Sequence, residues 1–161
     1  MKGVIIIGYQ GVGKSSCAGK GNCIDLESGN FWIGDHRADD WYIPYCNIAM
    51  DLANQGYTVF TSSHKVVYEY FANMPLKENV AKVVIFCPRR VWMKEWIERL
   101  EERYNKTGLQ KDYKALENAK DRYEENLTEL MNSGLPVYQP ETIDYDFRNY
   151  VGRIRYYWCR E

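Results

Sequence analysis

A three-layer α/β sandwich, with a five-stranded parallel sheet between two layers of helices, is the fold class this chain of 161 residues predicts. Three observations carry the prediction. Short β-branched or aromatic runs alternate with helical stretches, the pattern of a parallel sheet whose crossovers are helices. The first run, Val4-Ile5-Ile6-Ile7, has no polar position, as a strand buried on both faces requires. It leads into Gly8-Tyr9-Gln10-Gly11-Val12-Gly13-Lys14-Ser15, which fits G-x-x-x-x-G-K-[ST].

The elements follow in order. Residues 4–7 form the first strand. A helix can run only over about 14–19, too short to stand without the sheet beneath it. Residues 23–26 are the second strand. Over 40–54, Tyr42, Tyr45, Ile48, Ala49 and Leu52 recur at helical spacing, and Gln55-Gly56 closes that helix. The same spacing favours core packing for Tyr42, Tyr45 and Trp41 over a base-stacking role. Residues 57–61 are the third strand, with Ser62-Ser63-His64 at its exit. A helix over 65–73 stops at Met74-Pro75, and 82–86 is the fourth strand, ending at Cys87-Pro88. Residues 91–132 read as helix with a break near Thr107-Gly108. Residues 135–138 give the fifth strand, and 145–160 the last helix, with Phe147, Val151, Ile154 and Trp158 on one stripe. That stripe makes the nearby Arg153, Arg155 and aromatic residues the outer face of a packed helix rather than a nucleic-acid patch. Without linker, repeat or low-complexity segment, 1–161 reads as one domain, with about 89–132 as a helical insertion between strands four and five.

Composition limits the function classes. Twenty-one Lys and Arg against 22 Asp and Glu, mixed along the chain, leave a net charge of −1. No global basic field exists, which argues against nucleic acid. Fourteen tyrosines against five phenylalanines imply many rings half buried with the hydroxyl bonded or wet. Cys17, Cys23, Cys46, Cys87 and Cys159 form no C-x-x-C pair, and no signal-peptide pattern is visible. They read as reduced thiols of a cytoplasmic protein. With only His36 and His64 to join them, a zinc site is not supported. No apolar run approaches the roughly 20 residues that span a bilayer.

The motif after the first strand has a chemical task at each position. Gly8, Gly11 and Gly13 let the backbone curl so that successive N–H groups, including those of Val12, Ser15 and Ser16, face one concavity. Lys14 places a point charge on the β- and γ-phosphates, and the Ser15 hydroxyl ligates Mg²⁺. The expected ligands are therefore ATP and Mg²⁺, held in a P-loop at the helix start. No strand ends in an apolar run plus Asp, and no N-K-x-D guanine motif follows, which argues against a GTPase switch. What remains is the size and layout of nucleoside and nucleotide kinases. Arg89 and Arg90, past the fourth strand, lie at the carboxyl edge where open α/β sheets bind ligands, and Arg89 is taken as a nucleotide contact.

The run from Cys87-Pro88 through Trp92-Met93-Lys94-Glu95-Trp96-Ile97-Glu98-Arg99 to Arg103-Tyr104-Asn105 resembles small, mostly phage- or prophage-encoded, P-loop kinase-like proteins. These are similar to nucleoside monophosphate kinases such as adenylate kinase. Ile24-Asp25-Leu26-Glu27-Ser28 with Phe31, and Val59-Phe60-Thr61-Ser62-Ser63-His64, resemble the same group, and the matching segments cover about half the chain. The chain departs from it at Cys87, in its short first helix, and in lacking an Asp-Gly-Phe-Pro run. The resemblance implies a lid between strands four and five whose arginines neutralise the moving phosphoryl group. Arg99 and Arg103, four apart on one helix face, are the candidates, flanking an inward stripe of Met93, Ile97, Leu100 and Tyr104. Ion pairs of Arg99 with Glu95 and Glu102 are the competing reading, and Arg122 lies further along the insertion.

The acceptor side is expected from the second strand's exit. Asp25 is placed to take a proton from an attacking hydroxyl or to hold Mg²⁺ through water, or else to cap the next turn. Arg37 is a candidate clamp for an acceptor phosphate, and His64 a contact at the third strand's exit. The leading expectation is ATP-dependent phosphoryl transfer to a nucleoside monophosphate. An ATP-binding module acting through a partner, and a P-loop kinase of a non-nucleotide metabolite, are the alternatives.

Overall fold

A computed structural model describes residues 1–33, 36–75 and 80–159. Strand β1 (Val4–Gly8) is central and wholly buried. Its four branched side chains each contribute roughly 1.5–3 kcal/mol by leaving water. Strands β5 (Thr58–Thr61) and β6 (Lys82–Phe86) flank it in parallel, with Ile5 opposite both Val59 and Val83. Strands β2 (Cys23–Asp25) and β7 (Val137–Tyr138) form the edges, giving the order β2-β5-β1-β6-β7. The five parallel strands stand where the sequence predicts them. A two-residue antiparallel ladder, β3 (Trp32–Ile33) with β4 (His36–Arg37), was not expected, because two residues carry no readable period.

Among the described residues the α-helices are α1 (Lys14–Cys17), α2 (Tyr42–Asn54), α3 (Lys65–Ala72), α4 (Met93–Thr107), α5 (Gln110–Met131) and α6 (Phe147–Trp158). The expected helix at 14–19 is shorter: Ala18 is already extended, and α1 is a single turn. One turn carries little dipole, so any anion at its start depends on individual N–H groups. Positions 34–35 of the polar run and position 160, the expected end of the last helix, lie outside the described residues.

The helical insertion differs from expectation in two ways. Of the predicted stripe, Leu100 is buried and Ile97 and Tyr104 pack half-buried against the core, but Met93 is 39% exposed and Trp96 is buried in its stead, so the inward face is turned toward Trp96. Trp96 is the largest buried side chain there, and it sets the rotation. Second, the insertion is not a detached flap. Leu116, Ala119, Tyr123, Leu127 and Leu130 of α5 join Trp96 and Leu100 in the same core as the sheet.

The turn between α4 and α5 falls at the predicted break. The Gly108 N–H donates to Tyr104 O at 2.7 Å, ending α4. The Thr107 hydroxyl donates to Asp112, and Arg103 Nε lies 3.0 Å from the other Asp112 oxygen. Asp112 is 4% exposed, so this pair fastens the hairpin tip from inside. Lower down, α5 breaks at Arg122, where φ is −139° and ψ is 20°. The aromatic excess is explained by hydroxyls that tie elements together, as where Tyr45 OH donates to Leu26 O at 2.7 Å and accepts from the Ser62 N–H at 2.9 Å.

Candidate functional site

The loop between β1 and α1 is built from the outside in. Gly11 has φ of 87°, and a Cβ there would come within 3.0 Å of Leu100 Cδ2 and 3.3 Å of Trp96 Nε1. Gly13 has φ of 116°, and a Cβ would sit 3.1 Å from Phe147 Cβ. Both positions need glycine for backbone shape and for close approach. Three elements then hold the loop by hydrogen bonds. Trp96 Nε1 of α4 donates to Gln10 O at 2.9 Å, and Gln10 Nε2 donates to Ala115 O of α5 at 3.0 Å. The Tyr145 hydroxyl donates to Val12 O at 2.6 Å. Trp96, Gln10 and Tyr145 were not singled out from the sequence.

So held, the loop directs its polar groups unequally. The Val12 N–H donates to Tyr9 O at 3.2 Å, and the Ser16 N–H to Gly13 O at 3.0 Å, an oxygen that also accepts from the Ser16 hydroxyl. Neither group is therefore free for phosphate as the motif alone suggested. The N–H groups of Gly11, Gly13, Lys14 and Ser15 have no acceptor among the described residues. Lys14 Nζ donates to Gly8 O at 2.9 Å and Thr61 O at 3.3 Å, across the carboxyl ends of β1 and β5. Burial pushes its pKa below the ordinary lysine value, while Asp25 and Glu27 pull it back.

A cavity of about 680 Å³ opens on this loop. Gly8, Gly11, Gly13, Lys14 and Ser15 form one wall, the exits of β2 and β5 the next, and α5 the wall opposite. Seven cationic side chains line it: Lys14, Arg37, Lys65, Arg103, Lys111, Lys114 and Arg122. Four carboxylates, those of Asp25, Glu27, Asp112 and Glu129, oppose them. The excess of positive charge suits a polyanion. Lys111 of α5 approaches Glu27, just past β2, to 3.7 Å across the cavity. Burial raises the Asp25 carboxyl above the ordinary aspartate range, against the pull of Lys14, and a raised carboxylate is the stronger base.

Arg37 and His64 meet in this cavity. Arg37 stacks over Trp41, its guanidinium carbon 4.2 Å from the ring centroid, with Nη2 3.4 Å from His64 Nε2. A guanidinium only donates, so Nε2 accepts and Nδ1 carries the proton. Nδ1 then donates to Ser62 Oγ at 2.7 Å. Loss of water around the ring, then the charges of Arg37 and Lys14, lower the His64 pKa to about 4. His64 is thus a neutral hydrogen-bonding group here.

The arginines separate. Arg103 and Arg122 line the cavity; Arg122 also pairs with Glu125 at 3.1 Å and Glu129 at 3.5 Å. Arg99, expected beside Arg103 over the phosphates, instead donates to Ile143 O at 3.1 Å and stacks on Trp96 at 4.2 Å. It borders a second cavity of about 550 Å³ with Tyr145, Phe147 and Arg148, on the other flank of the loop. The stack on Trp96 takes the place of the expected pairs with Glu95 and Glu102. Arg89 Nε donates to Pro140 O at 2.7 Å, which ties the β6 exit to the segment after β7, and Arg89 lines neither cavity.

All five cysteines are free thiols. Among the described residues no helix is long and apolar enough to cross a membrane, and no group of three or more His, Cys, Asp or Glu side chains could hold a metal ion. Mg²⁺ does not need such a group, since it keeps waters and substrate phosphates as ligands and takes one or two protein oxygens. Ser15 and Asp25 line the same cavity and carry oxygens of that kind.

No family model matches the chain, and no curated protein matches it. Among solved structures, a gluconokinase from Sinorhizobium meliloti 1021 is similar over 83% of this chain and 89% of that one, at 15% identity and a TM-score of 0.43. The fold assignment rests on the chain's own strand order and loop.

Proposed function

We propose that this chain is an ATP-dependent P-loop phosphotransferase acting in the cytoplasm, with a nucleoside monophosphate as acceptor. One observation carries the reading: a single basic cavity holds the free loop N–H groups and Lys14 on one wall and Asp25, Arg37 and Arg103 on the others. A phosphoryl donor on the loop and an anionic acceptor opposite would share that space.

The triphosphate binds with its β- and γ-oxygens on the N–H groups of Gly13, Lys14 and Ser15. Lys14 leaves the Gly8 and Thr61 carbonyls for the γ-phosphate and neutralises charge there. Ser15 and Asp25 would hold Mg²⁺, which when bound would neutralise charge on the phosphate oxygens. An acceptor phosphate oxygen attacks the γ-phosphorus in line; the new P–O bond forms as the bond to the β-phosphate oxygen breaks, and ADP leaves. Arg37 and Arg103 orient the acceptor and stabilise the equatorial oxygens. The α5 wall excludes water, which would otherwise be phosphorylated instead.

A coupled assay of ADP release over the common nucleoside monophosphates tests this. Turnover with at least one of them, lost in Lys14→Ala, is expected; no ADP release with any overturns the reading. A second reading, an ATP-binding module without turnover, is favoured by the ends of β5 and β6, which carry Thr61-Ser62 and Phe86-Cys87 rather than a carboxylate. ATP binding with no turnover, and a complex formed only with ATP, is its signature.

A further inference from the structure

The wall that α5 presents to the cavity carries two amides eight residues apart that bond to each other: Asn126 Nδ2 donates to Asn118 Oδ1 at 2.7 Å. A straight helix does not allow this contact. Eight residues rise about 12 Å, whereas two asparagine side chains and one hydrogen bond reach roughly 10 Å end to end. The break at Arg122, midway between them, brings the two side chains together. Gln10 Nε2 lies 3.4 Å from the same Asn118 oxygen, so the pair adjoins the phosphate loop.

Two primary amides bonded to each other leave one amino group and one carbonyl unused. Turning one amide alone would set oxygen on oxygen or nitrogen on nitrogen, and Gln10 Nε2 faces Asn118 Oδ1 while the Asn126 amide also bonds the Tyr9 hydroxyl, so the unused groups are the Asn118 amino group and the Asn126 carbonyl. The cavity wall therefore offers a donor and an acceptor on two amides bonded to each other, next to Gln10 of the loop and on the same wall as Arg122. A nucleobase edge presents the complement, an adjacent acceptor and donor, and asparagine amides bind such edges in pairs of hydrogen bonds. We infer that the Asn118–Asn126 pair reads the base of a mononucleotide acceptor, and that the α5 break exists to form this reader. The inference rests on the cavity being the acceptor site; it adds the residues that would choose among acceptors.

Calorimetric titration of the full chain with AMP, GMP, CMP and UMP, with ribose 5-phosphate as the base-free control, tests it. ATP is titrated separately. At least one mononucleotide is expected to bind about tenfold more tightly than ribose 5-phosphate, the worth of two net hydrogen bonds. Asn118→Ala should bring that ratio close to one without weakening ribose 5-phosphate. Asn118→Asp, which replaces a donor by an acceptor, should reorder the four bases. Asn126→Ala gives the same readout if Asn118→Ala does not fold. Equal binding of ribose 5-phosphate and every mononucleotide overturns the inference. So does a variant that weakens all ligands alike, or one that lowers only the melting temperature, since then the amides merely brace the helix. ATP binding without any mononucleotide binding overturns the inference alone; absence of both overturns the phosphotransferase reading with it.

Discussion

Tyr145→Phe removes one oxygen, and with it the hydroxyl's bond to the phosphate loop and its contact with the half-buried Arg99 guanidinium. The hydroxyl donates to Val12 O at 2.6 Å, and Val12 is 2% exposed, so water does not replace the lost donor. The ring contacts with Phe86 and Tyr150, at centroid distances of 5.5 and 5.9 Å, survive the change. Stranding a buried carbonyl costs about 1–3 kcal/mol. With about 2–4 °C lost per kcal/mol for a domain of this size, a middle value of about 2 kcal/mol lowers the melting temperature by about 4–8 °C. ATP affinity should fall less than stability, because Trp96 and the Gln10 amide still hold the loop closed. Thermal unfolding by circular dichroism, paired with ATP titration, reads both quantities. An unchanged melting temperature would refute the anchoring argument, and an affinity loss without a stability loss would make the hydroxyl a ligand contact instead.

Asp25→Asn and pH report on the carboxylate. Its pKa is raised, so protonation persists to higher pH than for an exposed aspartate, and the acid limb of kcat/KM should lie above the ordinary aspartate range. Asp25→Asn should remove that limb along with most of the activity; an acid limb at the ordinary value argues against Asp25. Arg103→Ala leaves Asp112 buried with only Thr107 and should cost about 1–2 kcal/mol, discounted because Arg103 itself is 41% exposed. Lost turnover at unchanged stability would instead make Arg103 solely a phosphate group. The His64 imidazole should titrate near 4 in NMR chemical shifts, and a midpoint near the ordinary 6.5 would show that neither burial nor the Arg37 charge acts on it.

The sheet was legible in the sequence because a strand buried on both faces needs consecutive apolar residues, as in Val4–Gly8 and Lys82–Phe86. The loop was legible because its glycines are dictated by backbone shape. The arginines were not. Helical spacing puts Arg99 and Arg103 on one face of α4, yet the wall of Trp96, Gly11 and Leu100 runs between their destinations, one cavity on each flank of the loop. Periodicity reports a residue's angle around its own helix and carries nothing about what stands in front of that angle. The predicted stripe holds at Ile97, Leu100 and Tyr104 and misses at Met93 for a related reason: Met93 and Trp96 are equally apolar in a pattern, and volume decides which is buried. The break at Arg122 has no proline or glycine to announce it.

The anchoring of the loop also constrains how the insertion can take part in catalysis. A lid that swings as a body must separate from the phosphate loop. Here Trp96 and Ala115 bond Gln10 from two helices of the insertion, and Leu100 lies where a Gly11 Cβ would be. Swinging the hairpin would break both bonds and expose Trp96 and Leu100, each worth roughly 1.5–3 kcal/mol or more of burial. Loop and hairpin therefore move as one unit, and water exclusion falls to the half-exposed side chains at the cavity's edge, Arg103, Lys111 and Arg122. These respond to the charge of a bound phosphate without a backbone hinge. Substitution of Lys111 by Ala, which removes the 3.7 Å approach to Glu27 across the cavity, should then raise ATP hydrolysis relative to transfer while leaving the melting temperature within about 1 °C, since exposed pairs contribute little to stability. A fall in both rates together would place Lys111 on the substrate rather than on the rim.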